Sequence, residues 1–397
     1  MSIVNNKMYN VGAAPSTIRA LFDYGIKAKK EVGEENVYDF SLGNPSAPLP
    51  KKVHDDIIKL ASEKNDFYLH SYSSSMGFIE TRTAIANYMK DEYGANVSPD
   101  YIYMTCGATA SLAISFNALC ENENDELLVI SPYFPEYKVL ANFAGLKVKE
   151  VDPDYENFSI NFNDLEKKIS ADTKAVIINS PNNPTGVVYS EEDITKLSIL
   201  LKDKSKLYSK PIYLISDEPY REIIFDNKRP LYIPKYYDNT IILYSYSKSL
   251  SMPGERLGYI MLPSSVEYKE ELIVTMRGSG RSLGYTCAPT FMQRLVEINQ
   301  GEACDISGYK KNRDLLYNYM TEIGYEVVHP DGAFYLFFKA LEDDSNNFCE
   351  NAKKLNLLMV PTDGFNCKGY MRISYGVPYD MIERSLGAFK KLKEMYN

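Results

Sequence analysis

In the stretch Ile212-Tyr213-Leu214-Ile215-Ser216-Asp217-Glu218-Pro219-Tyr220, an apolar run ends abruptly in a cluster of polar side chains. A short run that is polar on neither face predicts a strand covered on both sides, as in a mostly parallel sheet with helices packed on each face. The same change recurs along the chain. Residues 175–178 lead into Asn179-Ser180-Pro181-Asn182-Asn183-Pro184-Thr185-Gly186, and residues 241–244 lead into Ser245-Tyr246-Ser247-Lys248. Ligands of open α/β sheets bind outside the carboxyl ends of the strands, so these three polar ends mark a candidate site.

Further apolar runs at 127–130 and 258–262, separated by helical stretches, extend the pattern and predict a doubly wound or related α/β layer architecture. Upstream, residues 15–30 read as an amphipathic helix with Ile18, Leu21, Phe22 and Ile26 on one face. An extended run at 37–42 follows and is stopped by Gly43-Asn44-Pro45. Beyond Pro289 come a polar helical stretch at 305–323 and apolar runs at 333–338, 357–360 and 371–373, the order of a smaller α+β unit. A chain of 397 residues is about twice the usual size of one domain. The expected division is a large domain over 49–288 and a small one over 289–397, with the segment 1–48 joining the small domain.

Composition narrows the chemistry. The formal charge of -9 leaves no electrostatic footprint for nucleic acid or an anionic membrane, so small-molecule partners are expected. The N-terminus lacks an apolar signal core and no run approaches the roughly 18 apolar residues of a membrane span, which predicts a cytoplasmic protein. The six cysteines are scattered without a Cys-x-x-Cys pair, and no two of the three histidines lie within four residues of each other. Neither a metal site nor a histidine relay is expected. Proton transfer therefore falls to other groups.

Asp217 is a carboxylate set directly after an apolar run, where burial penalises its charge unless a cation is near; a helix cap or turn is the alternative reading. A lone lysine such as Lys248 is usually a solvated loop residue. Desolvation and a neighbouring guanidinium, for which Arg256 is the candidate, would lower its pKa and make it a nucleophile for carbonyls, as Schiff-base chemistry requires. The small and hydroxyl residues of Thr105-Cys106-Gly107-Ala108-Thr109-Ala110-Ser111 precede an apolar helix, whose N–H groups and dipole suit a phosphate, though plain capping uses the same residues. Dinucleotide and P-loop fingerprints are absent.

Taken together, these motifs resemble the class I/II aminotransferases of fold type I, which use pyridoxal phosphate, from Phe40-Ser41-Leu42-Gly43-Asn44-Pro45 through Met371-Arg372-Ile373-Ser374. The resemblance implies a large domain with a mostly parallel mixed sheet and a smaller α+β domain. It implies that Lys248 holds the cofactor as a Schiff base and then moves the proton, that Asp217 pairs with the pyridine nitrogen, and that Asn183 and Tyr220 donate to the phenolic oxygen. Phe134 takes the place of the stacking aromatic, where many relatives carry Tyr or Trp. Ala108, Thr109, Ser245 and Arg256 correspond to the phosphate cup, and Tyr72 to a tyrosine that reaches the phosphate from a neighbouring subunit, hence a homodimer. Arg372 matches the arginine for the substrate carboxylate, with Gly43 and Asn44 as the segment over it. Arg281 is a candidate for a second substrate carboxylate by neighbourhood alone, a surface ion pair being its ordinary reading.

The expected activity is ping-pong transfer of an amino group from an L-amino acid to a 2-oxo acid, with donor and acceptor unassigned. A carbon–sulfur β-lyase on the same scaffold is the alternative, since it shares the same residues up to the carbanion. A DNA-binding regulator built on this body is disfavoured: no helix-turn-helix region precedes the enzyme-like pattern, and the net charge is negative.

Overall fold

The computed structural model describes residues 3–13 and 17–396. Pro15 and Ser16, where the sequence pattern begins the first amphipathic helix, lie outside the described residues. Thirteen strands occur among the described residues, in chain order: β1 (Tyr38–Asp39), β2 (Ile102–Thr105), β3 (Glu126–Ile130), β4 (Lys147–Val151), β5 (Thr173–Asn179), β6 (Tyr213–Asp217), β7 (Thr240–Ser245), β8 (Gly258–Met261), β9 (Val327–Val328), β10 (Tyr335–Lys339), β11 (Leu357–Leu358), β12 (Val360–Pro361) and β13 (Tyr370–Ser374).

Seven of them form one sheet in the order β2-β8-β7-β6-β5-β3-β4. Its pairs are parallel except those of β8, which runs against both β7 and β2. Every residue of β3, β6 and β7 is buried, as the unbroken apolar runs require. Alternation along each strand feeds two separate apolar layers. Leu127, Val129, Ile215 and Leu243 join one layer, while Leu128, Val176, Ile178 and Leu214 join another across the sheet. The architecture is the α/β sheet covered on both faces that the sequence predicts.

Strands β2 and β4 escape the sequence reading. β4, Lys147-Val148-Lys149-Glu150-Val151, is an edge strand whose lysines and glutamate are partly exposed, so it presents no continuous apolar run. β2 is only four residues long. The run at 357–360 also divides. β11 pairs in parallel with β1, while β12 joins an antiparallel sheet in the order β12-β13-β10-β9. The chain thus changes sheets at Met359, and the pairing ties residues 38–39 to the C-terminal part of the molecule. Leu21 and Phe40 share a core there with Phe334, Phe338, Phe348 and Met371.

The first described helix with a buried face, Thr17–Val32, differs from the pattern read in the sequence. It buries Leu21, Gly25 and Ala28, whereas Phe22 and Ile26 are 36% and 42% exposed. Two small residues allow close contact, since a Cβ on Gly25 would lie 2.9 Å from both Asp39 Oδ2 and Leu358 Cδ1. Choosing the stripe by apolar side chains alone therefore misplaces it by about one position.

Beside the carboxyl end of β6 lies a buried ion pair. Arg221 Nε donates to Glu218 Oε2 at 2.6 Å, Nη2 lies 2.6 Å from the same oxygen, and the guanidinium stacks 4.5 Å from the Tyr244 ring. Ser216 Oγ donates to the other Glu218 oxygen at 2.7 Å. Removing one partner leaves the other charge buried and alone, which costs far more than the pair contributes. Arg221→Met should therefore lower unfolding stability in urea by about 3–5 kcal/mol, and adding Glu218→Gln should recover much of that loss.

Candidate active site

The carboxyl ends of β5, β6 and β7 lie side by side, with Asn179 in register with Asp217 and Asp217 in register with Leu243. Strand β8 begins where its neighbours end, since Gly258 pairs with both Ser245 and Thr105. This reversal delivers Arg256, two residues before Gly258, to the same edge of the sheet. Gly107 sits opposite it with φ +87 and caps the helix Ala108–Leu119. A side chain there would be strained by that φ, and its Cβ would lie 2.9 Å from Arg256 Nη2. The result is a guanidinium beside the open N–H groups of a helix start, a set of donors suited to a phosphate dianion.

These elements enclose a cavity of about 290 Å³ lined by Gly43, Ala108, Thr109, Phe134, Asn183, Asp217, Tyr220, Ser245, Lys248, Arg256 and Arg372. Lys248 lies on the one-turn helix Tyr246–Ser249, which Ser245 caps by accepting from Ser247 N. Its Nζ donates to Gly43 O at 2.6 Å. Burial, then the charges of Arg372 and Arg256, bring its pKa down to about 8. An ammonium so placed gives up its proton near neutral pH and becomes a nucleophile.

Asp217 is 4% exposed. One carboxylate oxygen accepts from Tyr137 Oη at 2.5 Å, and the other, Oδ1, is buried without any partner. Burial pushes its pKa up to about 7, the Tyr137 hydrogen bond working against that rise and the Glu218 charge adding to it. A buried carboxylate with one free oxygen fits a cationic N–H supplied by a ligand. Asn179 supports it from the neighbouring strand: Nδ2 donates to Asp217 O at 2.8 Å, while Oδ1 accepts from Asn183 N at 2.8 Å.

Arg372, on β13, is 2% exposed, and its burial depresses the guanidinium pKa. Nη1 donates to Asn183 Oδ1 at 3.1 Å and Nη2 to Ser41 O at 2.7 Å, while Nε is buried without a partner. The fork is held by two contacts and keeps an unmet donor. Because Asn183 accepts through Oδ1, its Nδ2 is left to donate into the cavity.

Asn44, Tyr72 and Arg281 are not on the cavity wall. The Asn44 carbonyl faces Gly376 instead. Tyr72 is 85% exposed, and Arg281 is exposed near the end of the helix Lys269–Ser282. Conversely, the wall includes Ile18, Asn179 and Tyr335, and Tyr137 stands behind Asp217. Asn179 lies inside a stretch already marked by its strand end. Tyr137 and Tyr335 belong to an apolar helix and an apolar strand, and nothing in the periodicity separates a tyrosine that packs from one whose hydroxyl points into a site.

The set of donors and acceptors fits pyridoxal phosphate: a depressed lysine for the aldehyde, an unpaired buried carboxylate for the ring nitrogen, and a cationic helix start for the phosphate. The model for "Aminotransferase class I and II" matches residues 35–389. A probable aspartate aminotransferase of Methanocaldococcus jannaschii is 34% identical, with 96% of this chain and 97% of that protein covered. An aromatic-amino-acid aminotransferase of Thermococcus litoralis is 29% identical, with 96% of each chain covered. Among solved structures, an aminotransferase of Eubacterium rectale superposes with a TM-score of 0.98 at 53% identity over all of both chains. An aspartate aminotransferase of Thermotoga maritima gives 0.85 at 27% identity, covering 98% of this chain and 99% of that one. With the family's model spanning most of its length, this chain belongs to the class I and II aminotransferases, which use pyridoxal phosphate to move an amino group from an amino acid to a 2-oxo acid.

Proposed function

We propose that the transfer runs through Lys248, on the observation that its depressed amine shares one cavity with the unpaired Oδ1 of Asp217. Bound at this site, pyridoxal phosphate supplies an electron-withdrawing ring that renders the α-proton of an attached amino acid acidic. Lys248 would hold the cofactor's aldehyde and, once its amine is free, would carry a proton as a general base and acid. Asp217 keeps the ring nitrogen protonated, Tyr137 fixing the carboxylate through its second oxygen. Asn183 Nδ2 and the Tyr220 hydroxyl would donate to the phenolic oxygen, and Phe134 would cover the ring face. Ala108 and Thr109 N–H groups, Ser245 and Arg256 hold the phosphate.

Arg372 would receive the substrate α-carboxylate, with Gly43 on the same cavity wall, and its unmet Nε donor supports this role. Exposure of Tyr72 away from the cavity of its own chain supports its reaching the phosphate of a neighbouring subunit, and with it a homodimer. The β1–β11 pairing supports residues 1–48 moving with a small domain of 289–397 against a large one of 49–288. The six cysteines are all free, as suits a reducing cytoplasm.

Relatives named for aspartate and for aromatic amino acids set the first donors to try. Mixed with a panel of amino acids, the holoenzyme should lose its aldehyde absorption to the amine form and regain it with a 2-oxo acid. Release of pyruvate and ammonia from cysteine without a second substrate would overturn transamination. Lys248→Ala should retain cofactor through its phosphate and ring contacts, yet lose borohydride fixation of the cofactor to the protein. Its turnover should fall by about a thousandfold or more.

Asp217 predicts a reversal of sign. In the cofactor-free protein its folded pKa, about 7, stands above the ordinary carboxylate value of the unfolded chain. The folded state then holds a proton that the unfolded state has lost, so stability falls as pH rises between about 4 and about 7 and levels off beyond. Asp217→Asn should stabilise the cofactor-free protein at pH 8, on the order of a few kcal/mol, and less at pH 5. The same substitution should weaken cofactor binding and slow transfer. Urea unfolding at the two pH values and cofactor titration check both halves.

A further inference from the structure

Tyr335 has no role in the assignments above, yet its hydroxyl stands among them. Its Oη lies 2.8 Å from Tyr220 Oη, both rings are buried, and the Arg372 guanidinium sits 4.7 Å over the Tyr335 ring. Gly43 opens the space: a Cβ there would collide with the Tyr335 hydroxyl. The segment carrying Gly43 thus leaves room for a phenol at the one point where it meets Tyr220.

Counting protons gives the contact a direction. A phenol has one hydrogen to donate. If Tyr220 spends its hydrogen on the cofactor's phenolic oxygen, as proposed above, the hydrogen between the two tyrosines must come from Tyr335. Burial raises the pKa of both phenols, and the charge of the nearby guanidinium works against that rise at each, so it supports Tyr335 as a donor. In a buried chain of hydrogen bonds each donor polarises the next.

We propose that Tyr335 is a positioning residue that donates to the Tyr220 oxygen and, through it, lowers the basicity of the cofactor's phenolic oxygen. The proton shared between that oxygen and the Lys248 nitrogen is then lost at lower pH. This inference rests on the reading of Tyr220 as a donor to the cofactor.

The test is a pH titration of the holoenzyme's visible absorption, which reports the bound cofactor directly and does not depend on turnover. Tyr335→Phe keeps the ring and removes the hydroxyl, and should move the midpoint upward by about half to one pH unit. In a Tyr220→Phe background the same change should add little, because its route is gone. Replacing Tyr335 by a tyrosine fluorinated beside its hydroxyl keeps the fold and strengthens the donor, so the midpoint should move down. A role in packing alone would leave both midpoints in place. If Tyr220→Phe shifts the midpoint and neither change at 335 does, the inference about Tyr335 fails while the reading of Tyr220 stands. If Tyr220→Phe leaves it unmoved, both fall.

Discussion

The site depends on one arrangement: a carboxylate buried at the end of a central strand with only half of its hydrogen-bonding capacity met. Asp217 occupies the last position of β6, flanked by β5 and β7 and shut off from water. Desolvating a carboxylate is costly, and folding does not repay the cost, because Oδ1 has no protein partner. The nearest ion pair, Glu218 with Arg221, is closed on itself and offers Asp217 no cation. What remains is an electrostatic demand that a ligand carrying a protonated ring nitrogen satisfies. Strain of this kind is expected where binding matters more than stability.

The sheet topology arranges the rest around that demand. Parallel strands place Asn179, Asp217 and Ser245 at one edge, and a purely parallel sheet would need another crossover to bring a cation there. Strand β8 avoids this by running backwards, so that the residues before it, Arg256 included, arrive at the edge where the others end. Arg372 comes from the other direction, on the antiparallel sheet, and is held by Asn183 of the large sheet's edge loop and by Ser41 O of the N-terminal segment. Its position therefore requires three distant parts of the chain to be folded together.

How far the sequence is legible follows the same logic. The strand ends at Asn179, Asp217 and Ser245 stand out because full burial demands unbroken apolar runs, and the polar residues after them have no other reason to cluster. β4 is hidden because an edge strand is free to be polar, and the division of residues 357–360 between two sheets leaves no trace in composition. The helix Thr17–Val32 is found but turned wrongly, since Gly25 and Ala28 decide which face packs and neither scores as strongly apolar. Lys248 alone is one lysine among many. Only its partners, brought together by topology, distinguish it.

The residues that stay hidden longest are tyrosines, and the chain has 33 of them against three histidines and no tryptophan. Tyr137 holds Asp217, Tyr220 and Tyr335 face each other beside Arg372, and Tyr259 accepts from Arg221. In each case a charged group in the core is met by a neutral phenol. A phenol brings a large apolar ring that packs like any core residue and one hydroxyl that can accept from a cation or donate to an anion. Burying it costs much less than burying a second charge, and burial holds each of these hydroxyls in its neutral form, as the raised pKa values of Tyr137 and Tyr220 show. A chain short of histidine thus adjusts the protonation of its buried groups through hydrogen bonds from groups that do not themselves titrate. Because such residues satisfy the hydrophobic pattern as well as any phenylalanine would, their function becomes visible only when the hydroxyl's partner is known.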